Sequence, residues 1–164
     1  DAAYYILGEE TDLAWRCWLR GWECWYVPNA VSWHAFGCET LKPKQEFYVD
    51  ERIFFRGPSN YLSMLITNCG AGRLGLMLCC QVCAWVCAAA GFALRGETTR
   101  AGLVLRGLWD GLVRRLPSHR RKRRSVQAHR CIRDAELFQS ISYSPPFRYY
   151  LMRLWRYWTS QLHG

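Results

Sequence analysis

Gly8 to Thr40, GEETDLAWRCWLRGWECWYVPNAVSWHAFGCET, decides how the rest of the chain reads. Glu9, Glu10 and Asp12 precede an apolar-periodic run, and carboxylates there complement the free amides and positive end of a helix. Asp12 and Arg16 stand four residues apart, a spacing that pairs them on one helical face. Leu13, Trp15, Cys17 and Trp18 supply apolar contact, and Gly21 lets the chain leave through positive φ. These signals predict a short helix from Thr11 to Arg20. Cys24 to Val27 follows as a run of bulky, mostly β-favouring residues stopped by Pro28, and Ala30 to His34 as a second extended piece. The two pieces carry His34 back toward the helix start. A histidine near carboxylates suits metal binding or proton transfer, because imidazole ligates divalent ions and a carboxylate of raised pKa exchanges protons near neutral pH. The plainer reading is also open at this point: acids that favour a helix start, and a polar residue closing a strand.

The run D-x-x-Y-Y-I-L-G-E-E-T-D-L-A-W-R from Asp1, then G-W-E-C-W-Y-V-P-N-A-V-S-W-H-A-F-G-C-E-T from Gly21, resembles the second half of a family 2, inverting, GT-A-type glycosyltransferase. That group contains bacterial rhamnosyl- and galactofuranosyltransferases. Its pattern is an acidic pair, one residue, an acid with Leu, an Arg in the helix, Gly-Trp, a Val-Pro-x-Ala strand, and a His followed by Gly. Two departures stand out: Glu10 sits where many members have Asp, and Cys38-Glu39-Thr40 replaces the commoner small-Ser-Thr ending.

The resemblance implies an α/β fold over residues 1–45, the C-terminal part of a GT-A sheet, followed by a mainly α-helical, membrane-associating extension. It implies that the acidic pair supplies the general base, Glu10 first and Glu9 next, with Asp12 as sugar contact or helix-cap partner. His34 becomes a ligand of a divalent cation, Mg or Mn, on the donor diphosphate. Trp33, Arg52, Arg56 and Asn60 become acceptor or donor contacts, although the residues by themselves favour reading Arg56 and Asn60 as surface-helix residues. The implied partners are a nucleotide-sugar donor and a glycan or lipid-linked acceptor. The family's metal-binding Asp-x-Asp lies in its amino-terminal half, and the sequence holds none. Opening in mid-pattern on Asp1-Ala2-Ala3-Tyr4-Tyr5, the chain reads as a fragment without transfer activity of its own.

An apolar content of 51% excludes a disordered chain. Cys80-x-x-Cys83 has a zinc-ligand spacing, yet Cys79, Cys80, Cys83 and Cys87 lie in an apolar run without charged or His neighbours, where cysteine acts as a small buried hydrophobe. Free thiols in a reducing cytoplasm are expected. The formal charge of +9 is concentrated in Arg114-Arg115 and His119-Arg120-Arg121-Lys122-Arg123-Arg124. Such a block can attract an anionic membrane surface or nucleic acid, or form a solvated loop. No nucleic-acid signature accompanies it.

Residues 46–140 read as a helical extension and 141–164 as a linker with a terminal helix. Gly57-Pro58 predicts a break between two helices, the second running from Ser59 to Asn68. Leu74 to Leu94 carries no charge and is long enough to cross a bilayer. Arg95, Arg100 and Arg106 place its later end in the cytoplasm. A nucleotide-sugar site at His34 is cytoplasmic too, so one crossing would separate them. A helix dipping into or lying on the cytoplasmic face of the cell membrane removes the conflict, as does a paired crossing or a buried core helix. Ala101 to Leu116 is amphipathic, with Arg106 and Asp110 spaced as an ion pair. Ser125 to Ile141 is a further predicted helix. In the tail, Phe147, Leu151, Leu154 and Trp158 share a helical face beside Trp155, which fits a lipid headgroup boundary or packing on a protein surface. Trp85 is expected at the membrane with them.

Overall fold

The computed structural model describes Tyr4, residues 7–32 and residues 51–141. Its helices are α1 (Glu9–Leu19), α2 (Glu51–Asn68), α3 (Ala71–Leu94), α4 (Thr98–Trp109), a π-helical turn (Asp110–Arg114), α5 (Leu116–Ala128) and α6 (Asp134–Ile141). The chain divides into two compact units, Asp1–Asp134 and Ala135–Gly164. Helices α1 to α5 and the π turn belong to the first.

α2 is the axis of that unit. Every residue from Gly57 to Asn68 except Tyr61 is buried, because α4, the π turn and α5 pack along it and α1 and α3 lean on it. A helix covered on all sides usually reads as apolar all round. α2 instead buries Ser59, Asn60, Ser63, Thr67 and Asn68 beside Leu62, Met64, Leu65 and Ile66. Those polar groups require partners from the neighbouring elements.

The break expected at Gly57-Pro58 does not occur; α2 runs straight through. Interior proline costs about 3 kcal/mol from its lost hydrogen bond and ring clash. Here it is fully buried, and the absent side chain at Gly57 admits the Trp85 ring, which would stand 3.1 Å from a Cβ there. Close packing of α3 and α4 offsets the local penalty.

The α/β expectation is overturned. The described residues are 77% helical and contain no strand. Cys24 to Val27 is an exposed, irregular segment, and Ala30 to Ser32 has no regular structure either. β-favouring side chains mark a strand only when a neighbouring backbone takes up their amides and carbonyls. No described residue offers a ladder there, and Trp25 and Tyr26 stand in solvent.

Three further boundaries shift. α1 begins at Glu9 rather than Thr11, with Gly8 in the left-handed region at φ 88° as its cap and Asp12 N–H donating to the Gly8 carbonyl at 2.8 Å. The helix read over Ala101 to Leu116 is followed at once by another, with Pro117 in the first turn of α5, where its missing N–H costs little. The basic block is therefore helical, and the helix expected from Ser125 to Ile141 is divided by residues 129–133.

α3 is the apolar helix, and among the described residues it is the one long and apolar enough to cross a membrane. Only Ala89 along it is buried. Ala89 joins Ala101 and Val104 of α4 in a small core flanked by Phe54, Trp85 and Phe92. The Phe54 and Phe92 rings meet edge to face at 5.2 Å. Trp85 thus turns toward α2 and Tyr61 instead of outward to lipid.

Candidate functional site

The three acids at the start of α1 divide by environment. Asp12 is 3% exposed. Its Oδ2 accepts from Arg16 Nε at 2.9 Å and its Oδ1 from Asn68 Nδ2 at 2.8 Å. Both carboxylate oxygens are therefore engaged inside the fold, tying α1 to the last residue of α2. Burial first, and the Asp12 charge second, push the Tyr4 hydroxyl well above its usual pKa, so Tyr4 stays protonated. Asp12 is a structural anchor, not a group open to a sugar. Glu9 is half-buried, and Glu10 is exposed on the first turn.

The backbone leading into these acids is held under tension. Leu7 adopts φ 70°, a left-handed conformation that non-glycine residues rarely take. Asn60 holds it there: its Nδ2 donates to the Leu7 and Tyr4 carbonyls, each at 3.0 Å. Arg115 Nη1 in turn donates to Asn60 Oδ1 at 3.2 Å and Ser59 Oγ at 3.1 Å, while Ser59 donates to Asp110 Oδ2 at 2.7 Å. Asn60 is thus neither a surface residue nor a ligand contact but the residue that sets the approach to Glu9 and Glu10. Asp110 pairs with Arg114 at 2.7 Å, and Arg115 stands 3.9 Å from it; the pair expected with Arg106 does not form.

α5 separates its cations by face. Arg123 Nη1 donates to the Ile66 carbonyl at 2.7 Å and the Cys69 carbonyl at 2.6 Å, and Gln127 Nε2 to those of Thr67 and Asn68 at 3.1 and 3.0 Å. These bonds satisfy the open carbonyls at the end of α2 and set positive charge against its negative pole. Arg123→Ala is expected to lower unfolding stability by about 2 kcal/mol, from the loss of charge-assisted bonds to buried carbonyls. Urea unfolding measures it, and Arg123→Lys should recover only part because one ammonium matches that geometry poorly.

His119, one turn earlier, is fully buried. Burial, then the charges of Arg115 and Lys122, lower its pKa from the ordinary 6.5 to about 4. The unfolded chain takes up this proton near 6.5 and the folded one only near 4, so acidification through that window favours unfolding. Stability should fall as pH drops from 6.5 to 4, and more steeply than in His119→Gln, when thermal unfolding of both is followed across that range.

Of the remaining candidates, Arg52 is exposed at the start of α2, and Arg56 is half-buried with its guanidinium 5.5 Å from the Phe55 ring centre. Trp33, His34, Phe147, Leu151, Leu154, Trp155 and Trp158 lie outside the described residues. The thiols of Cys79, Cys80, Cys83 and Cys87 are free but not buried as expected: all four are exposed on α3, of which only Ala89 is buried. No group of three or more His, Cys, Asp or Glu among the described residues could hold a metal ion. Asp12, with both oxygens occupied, could not contribute one to the acidic cluster, so the described residues do not fit the divalent cation by themselves.

The network of Tyr4, Asp12, Ser59, Asn60, Asn68, Asp110 and Arg115 is not apparent from the sequence. Its trace there is the spacing of Ser59, Ser63 and Thr67, polar residues four apart, with Asn60 and Asn68 beside them in a helix that is buried along this stretch. No family model matches this chain, and comparison with curated proteins and with solved structures gives no match.

Proposed function

We propose that this chain supplies the acceptor side of an inverting, membrane-associated glycosyltransferase, which moves a sugar from a nucleotide-sugar donor to a glycan or lipid-linked acceptor. The observation that carries the reading is the division of the acids at α1. Asp12 is consumed in anchoring the helix, while Glu10 is left exposed on a first turn whose backbone Asn60 and Gly8 hold in place. A carboxylate that is open to substrate and fixed at its root is what a general base requires. The ordered sequence pattern around it supplies the reaction class.

In this reading Glu10 takes the proton of the acceptor hydroxyl as that oxygen attacks the anomeric carbon. The new C–O bond forms opposite the bond to the nucleotide diphosphate, which leaves with its electron pair, and the configuration inverts. Glu9 is the second choice for the base. His34 is the residue here offered to a donor-bound cation, and no step above depends on that ion. The bare apolar surface of α3 and the arginines at its ends support placement at the cytoplasmic face of the cell membrane.

The test is sugar transfer by the intact enzyme in membranes, with the product's anomeric configuration read by NMR. A product inverted relative to the donor is expected. A retained configuration, or nucleotide-sugar turnover that no acceptor stimulates, overturns the reading.

A further inference from the structure

α5 carries no acid, and the fold employs only part of its positive charge. Arg123 caps α2, His119 is buried, and Lys122 is turned far enough inward that burial lowers its pKa. Arg120, Arg121 and Arg124 take no part in those interactions. They line an open groove of about 450 Å³ whose other walls are Val113, Leu116 and Pro117. Three guanidiniums over an apolar floor present charge at one side and hydrocarbon at the other.

The apolar side continues beyond the groove. Leu105, Trp109 and Val113 follow at intervals of four along α4 and the π turn, and are 50%, 64% and 46% exposed. Asp110, the nearest acid in sequence, is committed to Ser59, Arg114 and Arg115, so it does not neutralise the groove. A nucleic acid would meet the same charge but would leave the apolar stripe unused. A free phosphate would leave it unused too. An amphiphile with a phosphate at one end and hydrocarbon at the other engages both.

We infer that the Arg120–Arg121–Arg124 groove binds the phosphate headgroup of an anionic membrane lipid, with the acyl region of the bilayer against Val113, Trp109 and Leu105. Guanidinium forks suit phosphate oxygens, which they bond in pairs. Exposed tryptophan beside arginine suits the headgroup boundary, where one end of each side chain is wet and the other apolar. The inference rests on the membrane part of the proposed function and not on its chemistry.

Binding of the intact protein to phosphatidylcholine vesicles, with and without phosphatidylglycerol, tests it. The quantity read is the ratio of the two affinities, so attachment through α3, common to both, cancels. At roughly fivefold per arginine near an anionic surface, replacing all three by Gln should reduce the ratio by about a hundredfold at most and at least tenfold. All three side chains are exposed, so the variant's unfolding temperature should match the wild type. Replacing all three by Lys should lose part of the preference, and Trp109→Ala should weaken binding to anionic vesicles several-fold. A ratio unchanged by the Gln substitutions overturns the inference, and a Lys variant equal to wild type reduces it to diffuse charge and overturns the groove. Competition by inorganic phosphate alone, or tight oligonucleotide binding without a lipid preference, assigns the arginines to another ligand. Glycosyl transfer is a separate readout: loss of the lipid preference with inverting transfer intact, or the reverse, shows which of the two readings has failed.

Discussion

On the proposed function, Glu10→Gln in the intact enzyme is expected to lower sugar transfer roughly a hundredfold to ten-thousandfold, the range spanned by removal of a general base, with little change in unfolding temperature. The side chain is exposed and the substitution keeps its size, so the fold loses only a solvent-screened charge at the start of α1. Asp12→Asn provides the contrast. Its carboxylate accepts from Arg16 on one oxygen and Asn68 on the other. An amide can accept on one side only, and its NH₂ then faces a donor. Breaking a buried pair costs about 3 kcal/mol or more, and somewhat less here because Arg16 is partly in solvent. Asp12→Asn should therefore lose stability and activity together, whereas Glu10→Gln loses activity alone. Steady-state transfer and thermal unfolding measured on the same preparations separate the two. Near-normal turnover by Glu10→Gln sinks its assignment as the base, and an inactive Glu9→Gln beside it would transfer the role one residue back.

That contrast also shows what the sequence could disclose. The helix after the acidic cluster, the Asp12–Arg16 spacing and the exit at Gly21 are signals read within one or two turns; the structure keeps them, with Gly21 at φ 76°, but starts the helix at Glu9, two residues earlier than those signals placed it. The absence of strands among the described residues was not legible in the same way, because the β preference of Trp25 and Tyr26 describes a packing surface and not a local backbone state. Nor could the role of Asn60 be read: its carbonyl partners are 53 and 56 residues away, and its amide oxygen's partner, Arg115, is 55 residues away. The positive charge of the basic block is plain from its residues alone. Which of its cations turn inward depends on where α2 ends, and only the fold supplies that.

Pro58 and Gly107 belong to one contact, and a second large effect is expected from it. A Cβ placed on Gly107 would stand 2.3 Å from the Phe55 carbonyl oxygen and 2.7 Å from Pro58 Cγ. The first of these is backbone of a helix packed on several sides, so no rotamer change relieves it. Gly107→Ala must separate α4 from α2, and with them the core of Ala89, Ala101 and Val104 on one side and the Asp110–Ser59 bond on the other. Overpacking of this kind costs about 3 kcal/mol, the upper part of its usual range. Gly102, five residues earlier on the same helix, has nothing within 4 Å of its Cβ position. There the same substitution should stabilise the protein by about 0.5–1 kcal/mol, since alanine restricts the unfolded chain and favours helix. Opposite signs for identical changes on one helix, read from urea midpoints, isolate the α2–α4 approach as the cause. Equal responses at the two positions would mean that helix propensity governs both, and that the continuous helix through Pro58 is not held by that contact.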